Sequence, residues 1–209
     1  RPFGWFFGEM WNILVSIGYP GISHMEGDAV ITETAWTPSG RGRTADFLNY
    51  YWVAFDNNDF RGWFKWRYMS QRNYSPTFYA LGYLTIGGFR YLYDYPMLVS
   101  EALHNSAAHP AKISCVYNVT KKVTGLKRKA MWQEISTALY NKWKEDADAR
   151  APYIPSERLT AEPKMYTDYT GNLIVGTDMY AIKSGHVDTP TLVRIDSFGN
   201  EYKIRDFSY

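Results

Sequence analysis

The chain reads as mainly α with a small C-terminal β segment, an α+β arrangement. Two observations predict this class. Through residue 150 the apolar and aromatic residues recur at helical spacing, as in Phe47, Leu48, Tyr51, Trp52 and Phe55. After Ala151 the pattern changes: Pro152, Pro155 and Pro163 punctuate an extended linker, and strand-like runs with turn residues follow. The expected organisation is a helical region over residues 1–150, then a linker and β hairpins over residues 151–209.

The elements follow in order. Residues 3–17 are aromatic and apolar and close on Gly18 and Pro20, which predicts a buried helix. Residues 24–36 form a second helix, stopped by Thr37-Pro38-Ser39-Gly40. Thr44 begins a third, broken by Asp56-Asn57-Asn58-Asp59, and residues 60–69 form a short helix or turn. Ser75 is placed to cap a helix with Pro76 at its first position. Its stripe is Phe78, Leu81, Thr85, Phe89 and Leu92, and Gly87-Gly88 inside it implies close helix packing. Residues 97–104 form another helix after Tyr95-Pro96. Residues 126–144 are amphipathic, with Met131, Trp132, Ile135, Leu139 and Trp143 on one side. Among the strands, Leu173-Ile174-Val175 pairs with Met179-Tyr180-Ala181-Ile182. Leu192 to Asp196 pairs with Glu201 to Ile204 across a Ser197-Phe198-Gly199-Asn200 turn.

The segment His24-Met25-Glu26-Gly27-Asp28-Ala29-Val30-Ile31-Thr32-Glu33-Thr34-Ala35 carries the chemistry. Glu26 and Glu33 are seven residues apart, two helical turns, so they project from one face. Gly27 and Ala29 are small and allow a backbone or ligand to approach Glu26. Carboxylates on a packed helix need a cation or a hydrogen-bonding partner. Arg41 and Arg43, in a glycine-rich loop, have the planar donor geometry to bind a substrate carboxylate.

Glu26-Gly27-x-Ala29-x-x-x-Glu33 resembles the second zinc-binding helix of the gluzincin metallopeptidases, the thermolysin-like and aminopeptidase N-like enzymes. Tyr79-x-x-Gly82 resembles the aminopeptidase helix whose tyrosine donates to the oxyanion. The resemblance implies a metal ligand in Glu26, a supporting acid in Glu33, an oxyanion donor in Tyr79, and zinc as cofactor. It further implies peptide-bond hydrolysis of a peptide or protein substrate, and an exported bacterial setting. The C-terminal hairpins resemble one blade of a TolB-like propeller, a domain such proteins carry beside the peptidase. Departures are plain: Ser23 stands where the family has Trp, and none of His24, His104, His109 and His186 begins His-Glu-x-x-His. The expectation is therefore a fragment whose zinc helix lies upstream, inactive alone. The alternative is a non-catalytic peptide- or glycan-binding module using an aromatic groove with Arg41 and Arg43.

Composition narrows the rest. The 209 residues carry a formal charge of +2, which points to neither nucleic acid nor an acidic partner. Basic and aromatic residues interleave between Arg61 and Arg72 without a nucleic-acid motif, and no nucleic-acid partner is expected. Aromatic residues make up 18% of the chain, which suits a large aromatic core, a carbohydrate-type groove or an interface. The single cysteine, Cys115, excludes an internal disulfide, and no apolar run is long enough to span a membrane.

Overall fold

The computed structural model describes residues 8, 21–70, 72–109, 114–152, 154, 155 and 157–207. The helix expected over residues 3–17 lies outside the described residues. The helices are α1 (Ile22–Trp36), α2 (Ala45–Asp56), α3 (Trp63–Arg67), α4 (Phe78–Tyr93), α5 (Leu98–Ala108), α6 (Cys115–Thr124) and α7 (Arg128–Asp148), with a 3-10 turn over Arg41–Arg43. The strands are β1 (Thr167–Val175), β2 (Asp178–Gly185), β3 (Thr191–Ile195) and β4 (Glu201–Asp206). The mainly helical class with a small antiparallel sheet is the one the periodicity predicts.

The chain divides into two compact units. One comprises residues 1–68 and 75–151, the other residues 69–74 and 152–209.

In the helical unit α4 is the central element. Leu81, Thr85 and Phe89 of its expected stripe are buried, but so are Ala80, Leu84, Ile86 and Gly88, whereas Leu92 is exposed. A helix buried on most of its circumference packs on more than one neighbour. Here α1 and α7 both pack against it. The α1 contact is made backbone to backbone: a Cβ on Gly27 would lie 2.1 Å from the carbonyl carbon of Gly82, and one on Gly82 would lie 1.6 Å from the Ser23 carbonyl oxygen. Any side chain at either position would force the helices apart. Gly88 does the same for α7, since a Cβ there would meet Ile135 at 2.4 Å. Arg90 ties the α1 crossing with an ion pair to Asp28 at 2.7 Å.

The remaining core is aromatic. Tyr51 and Phe55 of α2 meet Trp66 of α3, and Phe60 stacks on Phe55 with centroids 4.9 Å apart. Trp132 of α7 is buried and donates its indole N–H to the Arg61 carbonyl at 2.9 Å. One helix start is corrected. Thr77, not Ser75, precedes α4, and Ser75 is buried with its hydroxyl unbonded. Pro76 keeps Ser75 out of the helical region, and Thr77 is itself extended (ψ 152°), so the helix opens two residues later. Helix α6 had no counterpart in the periodicity; it ends on Gly125 in the left-handed conformation (φ 73°).

The second unit is an antiparallel meander in the order β1-β2-β3-β4. The register pairs Leu173 with Tyr180 and Ile174 with Met179, and the β3–β4 hairpin pairs Ile195 with Glu201. Asp196 shapes that turn by accepting from the backbone N–H groups of Phe198 and Asn200, both at 2.9 Å. The buried core is small, Ala181, Val193 and Ile195 under Tyr169 and Met179. Residues 69–74 join this unit through Tyr74, whose ring stacks on Tyr166 at 3.8 Å.

Replacing Gly27 with Ala should cost roughly 3 kcal/mol or more in urea unfolding, because the new methyl meets backbone that cannot rotate away. Gly62→Ala, with nothing within 4 Å of the added carbon, should cost less than about 1 kcal/mol. Equal costs at the two positions would contradict the backbone contact.

Candidate functional site

The glycine crossing decides what surrounds the conspicuous carboxylates. Gly27 follows Glu26, and Gly82 lies one turn after Tyr79, so the contact that joins the helices also fixes Glu26 and Tyr79 relative to one another. Both side chains are partly exposed. Arg41 completes the corner. Its guanidinium carbon stands 5.4 Å from the centroid of the Tyr79 ring, and Tyr79 and Glu26 both help to hold the guanidinium in its charged form.

Glu33 is committed to that arginine. Its Oε2 accepts from Arg41 Nε at 2.9 Å and pairs with Nη2 at 2.8 Å, while Oε1 accepts the Arg41 backbone N–H at 3.2 Å. These bonds hold the Glu33 carboxyl below the usual carboxylate range, with the Arg41 side-chain bond the largest cause. Glu33 is thus the residue that positions Arg41. The loop around it is stitched to α1: Gly42 N–H donates to Thr34 Oγ1 at 3.0 Å, and Arg43 Nη1 donates to the Thr37 carbonyl at 2.6 Å. Arg43 therefore closes the C-terminal end of α1 rather than facing the corner. Nearby, burial raises the Tyr83 phenol above its ordinary value, opposed by the Arg43 charge.

Glu26 makes no hydrogen bond or ion pair among the described residues. It supplies one carboxylate. A catalytic zinc takes three protein ligands, and the described residues hold no group of three His, Cys, Asp or Glu able to bind a metal ion. The ligand set that the resemblance implies is not met by these residues, so no step is derived through zinc. No family model, curated protein or solved structure matches this chain.

A second feature escaped the reading of the sequence. A groove of about 1080 Å³ runs between the α3 region and the ends of α6 and α7, lined by Lys65, Lys121, Lys127, Arg128 and Lys129 together with Trp63, Phe64 and Tyr117. Among the described residues no carboxylate lines it. A smaller pocket of about 360 Å³, whose lining includes Ser23, Thr85 and Thr120, shares Trp63, Phe64, Tyr117 and Arg128 with it. The signal was present in the chain: between Asp59 and Glu134 lie eleven Lys or Arg residues and only two acids, Asp94 and Glu101. Averaging over 209 residues conceals that imbalance.

Arg41→Gln should raise the Glu33 pKa toward its ordinary value, read by NMR titration of the side-chain carboxyl. A depressed carboxyl pKa stabilises the fold above the unfolded value near 4.5 and loses that contribution as pH falls through the folded value. The stability gap between the parent and Arg41→Gln should therefore narrow in acid. An unchanged Glu33 titration would remove the ion pair from the account.

Proposed function

We propose that the corner formed by Glu26, Arg41 and Tyr79 is a peptide-facing half-site, and that the helical unit is part of a gluzincin-like metallopeptidase of an exported protein. The observation that carries this is that Arg41, fixed by Glu33, lies over the Tyr79 ring and interacts with the Glu26 charge, while the Gly27–Gly82 contact holds the two helices together. A purely structural role would not require two polar side chains from different helices to share one partly exposed corner with a preorganised guanidinium.

The groups suit a peptide. The Tyr79 phenol is a hydrogen-bond donor for a carbonyl oxygen that gains charge during acyl transfer. The Arg41 guanidinium holds a carboxylate or carbonyl of the substrate, and its own orientation costs little because Glu33 has already fixed it. The Glu26 carboxylate takes a cation: the metal in the hydrolytic reading, or a substrate ammonium if the unit only binds. In the hydrolytic reading, Glu26 would be one ligand of a zinc ion that would supply an activated water when bound.

The test is hydrolysis of a fluorogenic peptide by the intact gene product. Tyr79→Phe should lower kcat by about 100- to 1000-fold with little change in KM, the loss of one oxyanion donor. Arg41→Ala should act mainly on KM, and Glu26→Ala should remove bound zinc measured by elemental analysis. A protein that neither cleaves nor binds peptides, or a Tyr79→Phe variant as active as its parent, would overturn the proposal.

A further inference from the structure

The basic groove shares no lining residue with the Glu26–Tyr79 corner, and the proposed peptide chemistry leaves it unused. Lys65, Lys121, Lys127 and Lys129 make no ion pair among the described residues. Like charges gathered along one groove repel, and an anion in the groove relieves the repulsion. Arg128 is held more firmly: its guanidinium carbon lies 4.9 Å from the centroid of the Phe64 ring and 4.7 Å from that of Tyr117. Lys122, close by in sequence, is occupied by Glu101 at 2.8 Å.

Two observations narrow the anion. One face each of Phe64 and Tyr117 is covered by Arg128, and Trp63 stacks against His24 at 5.4 Å, so the rings brace side chains of the protein. Each of the two rings thus keeps at most one face for a base to stack on. The adjoining pocket contains a hydroxyl in want of a partner: Ser23 is 2% exposed and its Oγ is unbonded. A buried hydroxyl without a partner is unfavourable, and a ligand hydroxyl would satisfy it.

We infer that this groove binds an acidic polysaccharide, with its carboxylates on the lysines and Arg128 and a sugar hydroxyl on Ser23. An acidic polypeptide offers the carboxylates without the sugar hydroxyls, and a nucleic acid is the competing polyanion that the dT probe tests.

The experiment is fluorescence-detected binding of polygalacturonate to the full chain, with dextran, poly-glutamate and a dT oligomer of about 12 nucleotides as comparison probes. Polygalacturonate should bind at low salt and weaken as salt rises, and dextran should not bind. The double variant Lys121→Glu/Lys127→Glu, both exposed, should lose roughly tenfold in affinity while its unfolding midpoint stays close to the parent's. Ser23→Ala should weaken polygalacturonate a few-fold without changing poly-glutamate binding or the unfolding midpoint by more than a little, since it removes a group with no partner. The inference fails if no anionic probe binds, if poly-glutamate or the dT oligomer binds as tightly as polygalacturonate, or if charge reversal has no effect.

Discussion

Two backbones touch where α1 crosses α4, and the rest of the helical unit is arranged around that contact. Glycine inside a helix is unfavourable by roughly 0.5–1 kcal/mol relative to alanine, so Gly27 and Gly82 need a compensating gain. They obtain it by letting the two helices come closer than side chains permit. The close approach lets Val30 become fully buried, sets Ile31 against Gly87, and brings Asp28 within reach of Arg90. The far side of α4 repeats the device with Gly88 against Ile135 of α7. One helix is thereby clamped between two others, and the polar side chains flanking the crossing have little freedom to separate.

Charge in this unit is organised by local pairing and by one large exception. Glu33 with Arg41, Asp28 with Arg90 and Glu101 with Lys122 each neutralise one another across elements. Exposed pairs of this sort add little stability on their own. Their value here is positional: Glu33 aims Arg41 at the corner that Glu26 and Tyr79 share. The exception is the lysine-lined groove, where no acid among the described residues answers the bases. Two stretches distant in sequence, around Lys65 and around Lys121–Lys129, supply its walls, and aromatic rings hold Arg128 between them.

The sheet unit rests on less burial. Three fully buried aliphatic side chains give it a thin core. Pairing across strands supplements that core, with Lys183 on Glu201 and Arg194 on Asp178. Asp196 fixes the last hairpin through its own backbone bonds, and the Tyr74–Tyr166 stack fastens the separate 69–74 segment to the unit. Leu173, Ile174 and Val175 remain exposed on the edge strand β1.

Local chemistry determined much of this protein. Apolar spacing of three and four located α2, α4 and α7, because burial of one face drives helix formation wherever it occurs. Turn residues placed the Ser197–Asn200 hairpin, since Asp196 and Gly199 satisfy its geometry without help from elsewhere. Helix α6 was not legible: Val116, Val119, Thr120 and Val123 favour strands, and burial of Cys115, Val116 and Val119 in the unit's core overrides that preference. The start of α4 was misplaced because a capping pattern at Ser75 competes with the restriction Pro76 imposes. For the site, the sequence marked Glu26, Glu33, Arg41 and Tyr79 as chemically conspicuous, but their grouping belongs to the tertiary structure. A carboxylate seven residues from another says nothing of which will be consumed by an ion pair. Only the loop that returns along α1 decides that Glu33 is taken and Glu26 left. The groove follows the same rule, for a charge balance of +2 is a sum, whereas binding depends on which charges the fold sets side by side.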